Sequence, residues 1–205
     1  YPGYYFLIGQ TKYLTYMDRV VELAEKHEMY LIFSYHAIGR PGGYYDSDSD
    51  NMLTHLGYTA KVFYSDLDMA IQFWDTVAPR YDSKNHILFE MWNEPVDNTA
   101  PYVWEDWRPS GERLIATIRK HSDNMILGPG VKYTTDLTGV AGNPYSDANL
   151  VYVAHVYPSF VEGLSDPEAE WEKKFGYLSA TYPMIISEWG LNDGGSKTTN
   201  GTLDG

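Results

Sequence analysis

Two glutamates in this sequence each follow an apolar, strand-like run. Glu94 closely follows the run 87–92, and Glu188 closely follows the similar run 182–186. A single glutamate is most simply a solvated loop carboxylate, but the same placement found twice favours a shared role. Glycoside hydrolysis needs two carboxyl groups on either side of the scissile bond, because its transition state resembles an oxocarbenium ion. The sequence therefore predicts that Glu94 and Glu188 form the catalytic pair of a glycosidase.

The apolar pattern along the chain predicts the elements that position these two residues. Strand-like and helix-like segments alternate, which is typical of a parallel sheet with right-handed crossover connections. The predicted strands cover 29–35, 87–91, 124–128, 150–156 and 183–188. The predicted helices cover 11–27, 61–80, 104–120 and 168–181, together with a short helix in the 134–141 region.

Two architectures have this alternation, the doubly wound open sheet and the (β/α)8 TIM barrel. No glycine-rich phosphate loop follows a predicted strand, which disfavours a nucleotide-binding open sheet. Chemistry at the carboxyl ends of several strands favours the barrel. A whole barrel takes about 250 residues, and this chain has 205. We therefore expect a single catalytic domain over 1–205 that holds about five or six of the eight βα units.

The barrel also predicts how far apart the two carboxyl groups lie. They follow the second and fifth predicted strands, and strands three apart face each other across the mouth of an eight-stranded barrel. Retaining glycosidases place their carboxyl groups about 5–5.5 Å apart, whereas inverting enzymes place them about 6.5–9.5 Å apart. The predicted positions favour the short separation and thus a double-displacement reaction.

Composition excludes several classes of partner. The net charge of −13 argues against nucleic acid and against an anionic membrane surface. No segment approaches the roughly 20 apolar residues that a membrane-spanning helix needs. The chain has no cysteine, so it has neither a disulfide framework nor a thiolate metal site. Aromatic residues make up 16% of the chain, which fits a tyrosine-rich core and sugar stacking equally well.

Four motifs resemble those of the glycoside hydrolase family 5 cellulases, which are (β/α)8 enzymes. Trp92-Asn93-Glu94-Pro95 is similar to the acid/base motif, and Ile186-Ser187-Glu188-Trp189-Gly190 is similar to the nucleophile strand. His155-Val156-Tyr157-Pro158 is similar to the family's His-x-Tyr motif, and Ser34-Tyr35-His36 is similar to the strand that ends in an active-site histidine. The motifs come in the family's order and spacing.

The resemblance implies roles for the residues in these motifs. Glu94 is expected to be the general acid and then the general base, with a pKa raised by burial and by a nearby carboxylate. Glu188 is expected to be the ionised nucleophile, surrounded by hydrogen-bond donors. Tyr157 is expected to donate to Glu188, and Asn93 is expected to hold the sugar 2-hydroxyl group.

Further side chains are expected to line the sugar subsites. His36 and His155 lie at strand ends that face the same mouth, so we assign them to the site rather than to the core. Tyr133 and Trp189 are candidate sugar platforms, Tyr133 because the family commonly has a tryptophan in that stretch. Among the other aromatic residues, Trp104 and Trp107 are expected to reach the leaving-group side. Tyr44 and Tyr45 are expected to form a cleft wall. Trp74 and Trp171 are expected to pack in the core.

The family's barrel has strands that would lie before and after this sequence. The family's first two strands, with an arginine that bonds to the nucleophile, have no counterpart here, and neither has its last strand, with an aromatic platform. We therefore expect the sequence to be an excerpt of a longer enzyme that is a monomer as a complete barrel. The acidic loop 46–51 alternates oxygen ligands but lacks the glycine and distal glutamate of a calcium loop, so we expect no metal.

These observations predict a retaining endo-β-1,4-glucanase that acts without a cofactor on a β-1,4-linked polysaccharide or oligosaccharide. A β-mannanase or xyloglucanase of the same family is the first alternative, because loops and platforms decide the substrate. A non-catalytic, glycan-binding barrel fragment is the second alternative, although the presence of both Glu94 and Glu188 argues against it. The substrate class implies secretion.

Overall fold

The computed structural model describes residues 2–42, 65–158, 161 and 163–190. The loop residues Tyr44, Tyr45 and 46–51 lie outside this part. The described residues form the α-helices α1 (Pro2–Leu7), α2 (Gln10–Lys26), α3 (Leu67–Tyr81), α4 (Trp104–Arg119) and α5 (Pro167–Lys174). The strands in the same part of the chain are β1 (Leu31–Ser34), β2 (Ile87–Glu90), β3 (Ile126–Pro129), β4 (Leu150–Val156) and β5 (Met184–Trp189). No helix in these described ranges is both long and apolar enough to cross a membrane.

The strands form one parallel sheet in which each strand pairs with its neighbour in the sequence. The order is β1-β2-β3-β4-β5, and all four pairings are parallel. A doubly wound sheet reverses its strand order at a switch point, whereas a barrel adds each strand to the same growing edge. The sequential order therefore confirms the prediction of an incomplete (β/α)8 barrel.

The sheet has an apolar layer on each of its two faces, because side chains alternate along a strand. On the outer face, Phe33, Phe89 and Tyr152 belong to the large core shared with the helices. The inner face carries a separate small cluster of Leu88, Leu127, Val151 and Val153, with Ile185 packed against it. Burial on both faces explains why the strands are almost continuously apolar in sequence.

Helices α3 and α4 cover the outer face beside β2. The Trp74 side chain of α3 is fully buried, and its indole nitrogen donates to the carbonyl oxygen of Met91 at 3.0 Å. Asp66 caps the start of α3 by accepting a hydrogen bond from the Met69 amide at 2.9 Å. The bond from Trp74 therefore holds the backbone three residues before Glu94.

Two predicted tryptophan positions are corrected by the structure. Trp104 and Trp107 were expected to reach the leaving-group side, but they are only 2% and 0% exposed. The Trp104 indole nitrogen donates to the carbonyl oxygen of Asn143 at 2.8 Å, and that of Trp107 donates to the Tyr145 hydroxyl at 2.6 Å. Both lie on the apolar face of α4 and pack in the core, where a sugar cannot reach them.

The short helix predicted in the 134–141 region is also wrong. Only Val140–Gly142 forms a single 3-10 turn there. Before it, Lys132, Tyr133 and Thr134 have φ angles of 53°, 61° and 60°. This left-handed conformation costs about 1–2 kcal/mol per residue outside glycine, and it is especially unfavourable for a β-branched threonine. Tertiary contacts hold this left-handed turn, and local sequence preference gives no sign of it.

Candidate active site

The carboxyl edge of the sheet brings Glu94 to a fixed position beside β1. The Glu94 amide donates to the carbonyl oxygen of Ala37 at 3.0 Å, and its own carbonyl oxygen accepts from the Gly39 amide at 3.0 Å. The side chain is buried, with Glu94 only 8% exposed. The backbone of this residue is therefore held by strand-like bonds beyond the end of β2, which limits the positions open to its carboxyl group.

Glu94, His155 and Glu188 meet at this edge. His155 is 1% exposed, and its Nδ1 atom lies 2.9 Å from Oε1 of Glu94 and 3.8 Å from Oε2 of Glu188. One ligand atom from each of the three residues lies within 4.8 Å of the other two. Carboxyl oxygens of the two glutamates are therefore close together, in keeping with the short separation of retaining enzymes.

A β-bulge in the last strand pair aims Glu188 at this cluster. Ala154 pairs with Ile186, but the next residue, His155, pairs with Glu188. Ser187 is the extra residue of the bulge. In a regular register Ser187 would pair with His155, and Glu188 would pair with Val156 and lie on the opposite face. The bulge thus places the carboxyl group of Glu188 beside His155.

Tyr157 lies next to Glu188, as the family resemblance implied. Its hydroxyl donates to Oε1 of Glu188 at 2.6 Å. Burial, followed by the hydrogen bond to Glu188, raises the pKa of the Tyr157 phenol well above its ordinary value. The phenol therefore stays protonated and able to donate to a carboxylate.

The surroundings of Glu94 favour its protonated form. Burial raises the pKa of this carboxyl group above its ordinary value, and the charge of Glu188 acts in the same direction. The hydrogen bond to His155 lowers it in part. A raised pKa is what a general acid needs in order to hold its proton near neutral pH.

The two remaining polar candidates lie beside the same cluster. His36 follows β1 and is half-buried, and burial lowers its pKa to about 4, against the opposing influence of the Glu188 charge. It is therefore a neutral imidazole at neutral pH. Asn93 is 2% exposed, and its backbone amide donates to the carbonyl oxygen of Tyr35 at 3.2 Å. The predicted sugar contacts of both residues stay predictions.

The two candidate platforms differ in their surroundings. Tyr133 is half-buried in the left-handed turn after β3, and its hydroxyl donates to Oδ1 of Asn98 at 2.8 Å. Trp189 ends β5 and is 73% exposed. The Tyr133 ring is thus held by a residue of the loop that follows Glu94, while the Trp189 ring is open to solvent. Their stacking on sugars stays a prediction.

Glu90 is a third carboxyl group near the pair that sequence reasoning missed. It ends β2 and is 4% exposed. Because it comes two residues after Leu88, it lies on the same inner face of the sheet. Burial raises its pKa, and the Ser34 and Ser187 side chains offset this only in part. The signal in the sequence was a glutamate at an inner-face position of a fully buried strand.

We expect the Glu90→Gln substitution to flatten the pH dependence of stability. A raised pKa means that the folded state holds the proton more tightly, so this contribution to stability is complete below the unfolded pKa of about 4.3. It is lost as the pH rises through the folded pKa. The free energy of unfolding is measured with urea from below the unfolded pKa to above the folded pKa of Glu90. As the pH rises, it should fall less in the variant than in the unchanged protein. The exposed Glu172, changed to Gln, is the control, and equal slopes in both proteins would contradict the expectation.

Glu94, His155 and Glu188 also have the ligand types of a divalent metal site. In the structure, however, His155 Nδ1 and Glu94 Oε1 are joined by a hydrogen bond, and the Tyr157 hydroxyl occupies Oε1 of Glu188. The expectation that the reaction needs no metal or cofactor stays a prediction, and retention of activity after treatment with a chelator tests it.

Comparison with known proteins identifies relatives of this chain. The chain is 29% identical over 185 residues to endoglucanase A of Butyrivibrio fibrisolvens and 23% identical over 189 residues to endoglucanase Z of Dickeya dadantii. These alignments cover 90% and 91% of this chain but only 36% and 37% of the relatives. The chain thus spans little more than a third of the length of these two relatives.

Solved structures share the fold over nearly the whole chain. A β-glucanase from Saccharophagus degradans superposes with a TM-score of 0.79 at 23% identity, covering 95% of this chain and 57% of that one. The same β-glucanase in complex with cellotetraose superposes with a TM-score of 0.79 at 22% identity, covering 96% and 58% of the two chains.

The family model of the cellulases matches residues 3–203. This match covers all four motifs and both glutamates, and it agrees with the sequential parallel sheet. The chain therefore belongs to the cellulase family, glycosyl hydrolase family 5.

Proposed function

We propose that the protein is a retaining endo-β-1,4-glucanase with Glu94 as acid/base and Glu188 as nucleophile. The observation that carries the proposal is the close approach of the two carboxyl groups beside His155, with one oxygen of Glu94 within 4.8 Å of one oxygen of Glu188. The environments of the two groups differ, which suits different roles. Glu94 is 8% exposed and has a raised pKa, whereas the half-buried Glu188 receives a hydrogen bond from Tyr157.

In the first step, a carboxylate oxygen of Glu188 attacks the anomeric carbon and the bond to the leaving oxygen breaks. Glu94 gives its proton to that oxygen, so the shortened chain leaves as a neutral alcohol. In the second step, Glu94 takes a proton from water as the water oxygen attacks the same carbon. The ester to Glu188 breaks, and two inversions give net retention at the anomeric carbon.

His155 and Tyr157 support opposite members of the pair. The His155 ring contacts Oε1 of Glu94 at 2.9 Å and is almost fully enclosed, so it fixes the direction of the acid/base. The Tyr157 hydroxyl holds Oε1 of Glu188 at 2.6 Å, which leaves the other oxygen to attack. His36, Asn93, Tyr133 and Trp189 are the residues that we assign to sugar binding.

The substrate assignment to β-1,4-glucan is supported by the relatives that are named endoglucanases and by the cellotetraose complex of the β-glucanase. A β-mannanase or xyloglucanase remains the alternative within the family. A glycan-binding barrel without catalysis is the alternative of another class, but glycan binding alone does not require a buried carboxylic acid beside a second carboxylate. Polymer substrates imply a secreted protein, and we expect a monomer.

The test is the release of reducing ends from soluble carboxymethyl-cellulose, β-mannan and xyloglucan by the longest polypeptide that carries this sequence. We expect cleavage of the cellulose derivative and a product that is first formed as the β-anomer, as observed by proton NMR. Faster cleavage of mannan or xyloglucan would replace the substrate assignment. Binding without cleavage of any of the three would overturn the enzyme assignment.

A further inference from the structure

The left-handed turn of Lys132, Tyr133 and Thr134 lies against both strands that carry the acid/base and its histidine. Three consecutive non-glycine residues with φ angles of 53°, 61° and 60° form an unusual backbone. Strain of this kind persists only where surrounding contacts impose it, and it gathers at functional sites. The hydrogen bonds of the turn show which residues impose this conformation.

Within the turn, several bonds hold the strained residues in place. The Val131 amide donates to the carbonyl oxygen of Asp136 at 2.9 Å, and the Asp136 amide donates to the carbonyl oxygen of Val131 at 3.1 Å. The Thr135 hydroxyl donates to the carbonyl oxygen of Lys132 at 2.7 Å, and Lys132 Nζ pairs with Asp136 Oδ2 at 2.7 Å. The turn is therefore a closed unit that presents Thr134 in one orientation.

Thr134 joins this unit to the active site at two points. Its hydroxyl donates to the carbonyl oxygen of Asn93 at 2.6 Å, directly before Glu94. Its carbonyl oxygen accepts from the His155 amide at 3.0 Å. Since His155 contacts the Glu94 carboxyl group, the contacts close a ring that runs from Glu94 through Asn93, Thr134 and His155 back to Glu94. Thr134 is 0% exposed, so water does not compete for these bonds.

We propose that Thr134 is a positioning residue that fixes the acid/base Glu94 relative to His155, and that the left-handed turn exists to hold it there. The inference rests on the proposed function, because it concerns the delivery of the proton by Glu94. Thr134 acts through Asn93 and His155, because its hydroxyl and its carbonyl oxygen bond to the backbone of these two residues. A small displacement of a catalytic group is enough to slow a reaction strongly.

The test compares Thr134→Val, which removes the hydroxyl and keeps the branched shape, with Thr134→Ser, which keeps the hydroxyl. On carboxymethyl-cellulose, we expect Thr134→Val to lower kcat by about 10- to 100-fold with little change in KM. Thr134→Ser should keep most of the kcat of the unchanged protein. With 2,4-dinitrophenyl β-cellobioside, the glycosylation step should be nearly unaffected, because this leaving group departs without a proton.

Two controls separate positioning from folding. Thr117→Val removes another buried hydroxyl, which donates to the carbonyl oxygen of Arg113 at 2.9 Å within α4 and is remote in sequence from the site. Thr15→Val removes an exposed hydroxyl, which donates to the carbonyl oxygen of Thr11 at 3.0 Å within α2 and lies outside the turn. Both should retain the unchanged kcat, and thermal unfolding identifies any variant that does not fold.

If Thr134→Val does not fold, Thr134→Ala takes its place with the same expectation. Equal losses on the polysaccharide and in the glycosylation step with the activated cellobioside would show a general structural defect and overturn the inference. An unchanged kcat in a folded variant would also overturn it, while the proposed function would stand. Absence of hydrolysis by the unchanged protein would overturn both.

Discussion

The Glu188→Ala variant is expected to lose hydrolysis of carboxymethyl-cellulose by about 10⁵-fold or more, because removal of a nucleophile stops the first covalent step. Glu188 follows the bulge in β5 and lies 3.8 Å from His155 through Oε2. It is half-buried, so its truncation should cost little stability. The initial rate of reducing-end release measures the loss. The exposed Glu172, changed to Ala, is the matched control and should keep full activity.

Azide distinguishes loss of the nucleophile from loss of folding. Truncation of Glu188 leaves space on one face of the sugar, and azide supplied in solution can attack the anomeric carbon there in a single inversion. An activated β-cellobioside should then give the α-glycosyl azide, which the variant cannot hydrolyse. Full activity of Glu188→Ala on the polysaccharide, or a β-glycosyl azide product, would refute the assignment of this residue.

The Glu94→Ala variant is expected to lose about 10²- to 10⁴-fold in kcat on the polysaccharide, the usual contribution of a general acid/base. With 2,4-dinitrophenyl β-cellobioside, the first step needs no acid, whereas the second step still needs the base. We therefore expect a burst of dinitrophenolate close to the enzyme concentration, followed by slow turnover, in stopped-flow measurements. Azide should speed that turnover and yield the β-glycosyl azide, because it attacks the intermediate.

The pH profile gives an independent measure of the same residue. Burial raises the pKa of Glu94 in the folded protein, so the acid form persists above the ordinary range for a carboxyl group. Activity should fall as the pH rises through this raised pKa, and that alkaline limb should be absent in Glu94→Ala. Glu94→Gln should share the loss, because the amide keeps the shape but not the proton. A variant that retains the alkaline limb would assign it to another group.

The strands and the candidate pair were accessible from the sequence because their signals are local. Apolar runs buried on both faces identify strands, and β4 over Leu150–Val156 matches its predicted range. The motifs around Glu94 and Glu188 carried the family resemblance, which the match over 3–203 confirms. The parallel alternation predicted a barrel, and the sequential strand order confirms it.

Features that depend on contacts between distant segments were not accessible in this way. Apolar spacing on α4 fits core packing and a place on the leaving-group side alike, and contacts with Trp92 and Tyr145 show that Trp107 packs in the core. The left-handed turn contradicts the local preference of Thr134, so no propensity argument predicts it. Its hydrogen bonds to Asn93 and from His155 impose the conformation.

The sequence by itself determined which residue types stand at the ends of which strands, because alternation and apolar runs are properties of neighbouring residues. The apolar runs therefore predicted the barrel class and the placement of the two glutamates at strand ends, and the four motifs carried the resemblance to the family. The tertiary structure alone decided that the surroundings of Glu94 favour its protonated form and that Glu188 faces His155. Burial raises the pKa of Glu94, and the bulge before Glu188 turns its carboxyl group towards His155. Both effects arise only when strands far apart in the chain are packed side by side.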